Sequence, residues 1–123
     1  MRLLLDTHVL IWWTTDDPRL QSVHEEAIGS PRNSVYVSAV SAWEIGIKRN
    51  QAKLAFSGSV EDAIQRHRFE SLAITVRHAE KAGGLPLLHG DPFDRLLVAQ
   101  AQMEGLTLVT VDEQILRYQV PHL

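Results

Sequence analysis

The chain predicts an α/β fold in three layers, with helices on both faces of a central parallel sheet of about four or five strands. Three observations carry this. Short apolar runs alternate with longer helical patterns from end to end. The first runs, such as Leu3-Leu4-Leu5, are continuously apolar, as strands buried on both faces are. Most helical patterns open on a capping residue, as at Ser38, Thr75 and Asp91-Pro92.

Taken in order, Leu3 to Leu5 forms the first strand and ends at Asp6, and Thr7 to Trp13 continues as an apolar helix. Asp17-Pro18 reads as the start of a second helix running to about Ile28. Gly29 to Ser34 is a loop, and Val35-Tyr36-Val37 a second strand. Ser38 caps a helix through Lys48. Ser59-Val60-Glu61-Asp62 resembles a capping box and opens a helix to about Glu70. Leu72 to Ile74 is a third strand, and Thr75 caps a helix that stops at Gly83-Gly84. Asp91 caps a helix from Pro92 to Glu104, closed by Gly105. Leu106 to Val111 is the fourth strand, followed by Asp112, a short helix to Tyr118 and a final Val120. With 123 residues and no repeat or linker, residues 1–123 read as one domain able to bury its own core.

The totals narrow the chemistry. There is no cysteine, so a metal would be held by carboxylate, imidazole or carbonyl groups, which favours Mg²⁺ or Mn²⁺ over structural zinc. The formal charge of −3 argues against a broad electrostatic grip on nucleic acid, so such a substrate would need a local basic patch. The opening apolar run is too short for a signal peptide, and none approaches the ~18 residues of a membrane span, so a soluble cytoplasmic protein is expected.

Four acids stand out from those in polar surroundings. Asp6 and Asp112 follow apolar strands, Glu44 lies inside an apolar helix just past a strand, and Asp94 sits one turn into another. Strand ends and the helix starts that follow them share one rim of an open α/β sheet, where sites lie. Converging carboxylates repel and raise one another's pKa, and a divalent cation removes the conflict. Each acid also has a plainer reading. Asp6 and Asp112 can cap helices, Glu44 can pair with Lys48 four residues on, and Asp94 suits a helix N-terminus. Asp91 fits a helix cap better than a metal ligand, with a supporting contact behind the ligands open to it. The six histidines show no metal-ligand spacing, although His8 and His89 lie close in sequence to site acids. Lys48, Arg49 and Arg95 are candidate contacts to RNA phosphate, or else solvated or paired with the acids. Of three tryptophans, the adjacent Trp12 and Trp13 cannot both face one way on a helix, so one can reach a partner surface.

Asp6-Thr7-His8-Val9-Leu10-Ile11-Trp12, Ser41-Ala42-Trp43-Glu44-Ile45, Asp91-Pro92-Phe93-Asp94-Arg95-Leu96-Leu97-Val98-Ala99-Gln100-Ala101 and Leu108-Val109-Thr110-Val111-Asp112, in that order, resemble PIN-domain ribonucleases, and most closely the VapC-type toxins of type II toxin–antitoxin pairs. The resemblance spans essentially the whole chain. It implies a PIN-like α/β/α fold and Mg²⁺- or Mn²⁺-dependent endonucleolytic cleavage of RNA. It also implies a cognate antitoxin and a homodimer. The family's four acids fall on Asp6, Glu44, Asp94 and Asp112, the last in a Thr-x-Asp pattern, while Asp91 is an extra acid typical of one subgroup. Direct ligation is expected of Asp6 and Asp94, with Glu44 and Asp112 completing the site directly or through water. A non-catalytic RNA-binding or regulatory module of the same fold is the alternative, and the full acid set argues against it. A haloacid-dehalogenase-like phosphotransferase would want an acid where His8 stands, and a receiver domain a late lysine, of which there is none after Lys81.

Overall fold

The computed structural model describes residues 1–123. Its elements are β1 (Arg2–Leu5), α1 (Thr7–Thr14), α2 (Ser22–Gly29), β2 (Ser34–Ser38), α3 (Ala39–Asn50), α4 (Val60–Arg66), β3 (Glu70–Leu72), α5 (Val76–Gly83), α6 (Pro92–Glu104) and β4 (Thr107–Val109), followed by a single 3₁₀ turn at Ile115–Arg117. The four strands form one sheet in the order β3-β2-β1-β4, with every pairing parallel.

Strand pleating sends alternate side chains to opposite faces, and β1 shows the result. Leu3 and Leu5 enter a core with Val9, Leu10, Ile28, Val35, Val37, Ile45 and Val60, which belongs to the layer of α1 to α4. Leu4 enters the opposite core with Leu97, Val98, Ala101, Leu108 and Ile115, under α5 and α6. All three leucines are fully buried. The sheet is therefore covered on both faces, and the fold is the expected α/β/α arrangement.

Several boundaries differ from the sequence expectation for identifiable reasons. The second helix starts at Ser22, not at Pro18. Asp17 instead closes a local turn, accepting from Arg19 N at 2.9 Å and holding its guanidinium, while Leu20 N donates to Asp17 O at 3.1 Å. The helix expected to reach Glu70 stops at Arg66, because Arg68 takes a positive φ of 58° and turns the chain into the sheet. Pairing of Tyr36 with Glu70 and Ser38 with Leu72 then fixes β3 two residues earlier than the apolar run suggested. The fourth strand is shorter than expected, since Thr110 leaves the ladder to contact Asp6. The last helix is only a 3₁₀ turn, and past Val120 the chain makes one parallel bridge from His122 to Leu108.

The C-terminus of α6 is set by Gly105, whose φ of 66° is left-handed and whose N–H donates to Ala101 O. A Cβ there would meet nothing within 4 Å. Gly105→Ala is therefore expected to cost only the left-handed backbone penalty, about 1 kcal/mol, read as a small loss of stability in urea unfolding.

Candidate metal centre

In open α/β sheets, ligands bind past the C-terminal strand ends, where connections diverge to either side. Here that point lies between β1, which pairs with β2 on one side, and β4 on the other. Asp6 is the residue after β1, and its N–H donates to Val109 O at 3.0 Å, so the two strand ends are locked together.

Asp6 is 2% exposed and has two tasks. One oxygen caps α1 by accepting from His8 N at 3.0 Å. The other accepts from the Thr110 hydroxyl at 2.6 Å. The same hydroxyl accepts from Asp112 N at 3.0 Å, so Thr110 ties Asp6 to Asp112. Asp112 also accepts from Gln114 N at 2.8 Å, which opens the turn after β4. Burial raises the Asp6 carboxyl above its ordinary value, against the lowering effect of the Thr110 bond.

Asp94 arrives from the first turn of α6. Asp91 caps that helix by accepting from Asp94 N at 3.0 Å, the role that its place before Pro92 suggests. His89 Nε2 contacts Asp94 Oδ2 at 2.8 Å. Desolvation first, then the charges of Asp91, Asp6 and Asp112, push the Asp94 carboxyl up to about 7, and the His89 contact only partly offsets this. Ligand atoms of His89, Asp94 and Asp112 lie within 4.8 Å of one another. Three acids from three separate elements thus act on one another across the β1–β4 switch point.

Glu44 lies on α3, the helix that follows β2, and is not among the charges that act on Asp6 or Asp94. Ser38 caps that helix, and Ser41, one turn before Glu44, contacts the Thr7 hydroxyl at 2.9 Å. Glu44 is 5% exposed and pairs through Oε2 with Lys48 at 2.9 Å, while its buried Oε1 has no partner. The ion pair that served as the plainer reading does form, yet it satisfies only half of the carboxylate. An orphaned buried oxygen is costly, and a cation or its water is a suitable partner.

The three candidate RNA cations are committed inside the chain. Lys48 is held by Glu44, and Arg49 Nη1 donates to Gly58 O at 2.6 Å. Arg95 departs furthest from expectation. Its Nη1 donates to Pro86 O (3.0 Å), His89 O (3.3 Å) and the Tyr118 hydroxyl (3.0 Å), and its Nη2 to Ala82 O (2.9 Å) and Leu85 O (3.1 Å). A guanidinium fork spent on five oxygens acts as a loop clamp. Tyr118 reinforces it by donating to Pro86 O at 2.8 Å and accepting from His89 N at 3.1 Å.

His89 and Thr110 are the participants that sequence reasoning underrated. The signal for His89 was its position five residues before Asp94, across a loop whose geometry sequence does not supply. The signal for Thr110 was the Thr-x-Asp pattern.

Comparison with known proteins accords with this architecture. A family model described as PIN domain matches residues 3–121. Ribonuclease VapC22 of Mycobacterium tuberculosis (strain ATCC 25618 / H37Rv) is 31% identical over 122 residues, covering 97% of this chain and 93% of that protein. Among solved structures, a toxin-antitoxin complex from Klebsiella pneumoniae superposes with a TM-score of 0.68 at 18% identity, covering 98% of this chain and 95% of that one. VapBC2 from Rickettsia felis, bound to a DNA fragment from their promoter, gives 0.66 at 17% identity, covering 100% and 98%. No helix is long and apolar enough to cross a membrane. With its family model running from the first strand to Pro121 and a relative matched over nearly its full length, the chain belongs to the PIN-domain family.

Proposed function

We propose that this chain is a metal-dependent endoribonuclease that hydrolyses RNA phosphodiester bonds and acts as the toxin of a toxin–antitoxin pair. The observation that carries the reading is the convergence of Asp6, Asp94 and Asp112, where burial first and then the charges of Asp91, Asp6 and Asp112 raise the Asp94 carboxyl. The similarity to a VapC ribonuclease supports RNA as substrate, and the VapBC neighbours support a cognate antitoxin partner. By the same kinship we infer a homodimer and a cytoplasmic location.

The donor set fits a hard divalent cation. It is rich in carboxylate oxygen, contains no thiolate and leaves Glu44 Oε1 unpartnered. Asp6, Asp94 and Asp112 would hold Mg²⁺ or Mn²⁺, with Glu44 completing the set directly or through water. When bound, the cation polarises the scissile phosphate and lowers the pKa of the attacking water. The chain's own residues preorganise the site. Thr110 fixes the orientations of Asp6 and Asp112. His89 holds Asp94 Oδ2 and would keep that carboxylate in place for the cation. Asp91 acts at the helix start. Arg95 and Tyr118 fix the loop that carries His89.

Purified protein incubated with structured RNA tests the reading. Cleavage is expected with Mg²⁺ or Mn²⁺ and not with EDTA. RNA binding that survives EDTA, with no cleavage under either cation, would instead mark a non-catalytic module. The clamp has its own test. Arg95→Lys keeps the charge but cannot span five oxygens, so it is expected to cost about 2–4 kcal/mol of stability in urea unfolding. It is also expected to weaken Mn²⁺ binding roughly 10- to 100-fold by calorimetry, as loss of an outer-sphere support does.

A further inference from the structure

We propose that the Trp43 indole is the stacking platform for an unpaired base of the RNA substrate, beside the carboxylate site. This rests on the nuclease reading and adds to it a residue that grips the substrate.

The three indoles are not alike. Trp12 lies beneath the Arg19 guanidinium, 5.3 Å from Cζ to ring centroid, and packs against the core. Trp13 is bonded through Nε1 to His67 Nδ1 at 3.3 Å and also packs inward. Trp43 is 57% exposed. Its one ring contact is with Phe93, at 5.0 Å between centroids and 75° between planes. Such an edge-to-face contact braces the indole without enclosing it.

Its position is specific. Trp43 immediately precedes Glu44, and Phe93 immediately precedes Asp94. The aromatic pair therefore spans the gap between the two helices that deliver those acids. A phosphate held at the carboxylates would bring its flanking nucleotides to this pair.

Charge supplies the second argument. The net charge is −3, and Lys48, Arg49 and Arg95, the cations nearest the acids in sequence, are bound to groups within the chain. Electrostatic affinity for the backbone is accordingly weak at this site. Stacking is an uncharged source of affinity that any base can use. It requires a base freed from its pair, as in single strands, loops and bulges, and a duplex does not present one.

The test measures binding and cleavage separately on the full chain. In EDTA, a 12-nucleotide mixed-sequence single-stranded RNA is expected to quench tryptophan emission, and the same strand annealed to its complement is not. Trp43→Ala should lose that quenching and bind the single strand roughly tenfold more weakly. Trp43→Tyr should bind within about threefold of wild type, whereas Trp43→Leu, apolar but without a stacking face, should be as weak as Ala. In cleavage, Trp43→Ala should raise KM with little change in kcat. Thermal unfolding at the wild-type temperature verifies that the variants are folded. Wild-type affinity in Trp43→Ala or full rescue by Leu would overturn the proposal. So would unchanged RNA binding accompanied by conversion of a dimer to a monomer in sedimentation, since the ring would then belong to a second copy. Stacking without any cleavage by the wild type would defeat the nuclease reading alone, and cleavage that ignores Trp43 would defeat the platform alone.

Discussion

Replacing Asp94 by Asn is expected to lower RNA cleavage by roughly a hundredfold or more, and at the same time to raise the melting temperature of the metal-free protein. The two effects have one cause. Asp94 is largely buried, and that burial first, with the charges of Asp91, Asp6 and Asp112 after it, raises its carboxyl to about 7. In the absence of a cation that charge is a liability, and the isosteric amide removes it. The cap is untouched, because Asp91 binds the backbone N–H of residue 94 and not its side chain. With saturating Mn²⁺ the order should reverse, since only the carboxylate gains from the ion. A variant that lost both activity and metal-free stability would point to a structural role for Asp94.

The second large effect is on pH. Asp94 has an ordinary value of 3.8 and a folded value of about 7, so between these the folded protein holds a proton that the unfolded chain does not. The contribution of Asp94 to metal-free stability therefore falls as pH rises from about 4 to about 7 and then levels. Asp6, raised by burial, acts with the same sign. His67 acts oppositely. Burial lowers its folded value from 6.5, so its contribution is lost in acid. Comparing wild type with Asp94→Asn in EDTA isolates the Asp94 part, and the melting advantage of Asn should widen from pH 5 to pH 7.5. Metal affinity follows the opposite course. Below about 7 the ion must displace the Asp94 proton, so Mn²⁺ binding should weaken by about tenfold per pH unit, with release of a proton visible in calorimetry in buffers of different ionisation enthalpy. An affinity flat between pH 5.5 and 7.5 would remove Asp94 from the ligand set.

Legibility in the sequence followed the range of the interactions. Leu3-Leu4-Leu5, Val35-Tyr36-Val37 and the caps at Ser38, Thr75 and Asp91 are local signals, and each element they predict is present. Asp17-Pro18 misled because an Asx turn and a helix N-cap begin with the same residues, and the Arg19 guanidinium decides between them. β3 was misplaced because its register is set by β2, more than thirty residues earlier in the chain. At the candidate centre, the isolation of Asp6, Asp94 and Asp112 in apolar sequence pointed to the strand-end rim, which the parallel topology supplies. The orphaned oxygen of Glu44 had no sequence signal. Nor could the clamp have been read from sequence. Arg95 beside an acid suggests an ion pair or a phosphate, and only the fold of residues 82–89 and Tyr118 around it shows five oxygens within reach.

The central claim is that the buried acids at the β1–β4 switch point form a ribonuclease site. Expression of the wild-type chain without a partner, in parallel with Asp6→Asn, tests it most directly. Asp6 touches both Thr110 and the α1 cap through its oxygens, and Asn keeps an acceptor for one of them. The account predicts growth arrest with fragmented RNA from the wild type and neither from Asp6→Asn at equal soluble expression. Equal RNA fragmentation by the two proteins would contradict it.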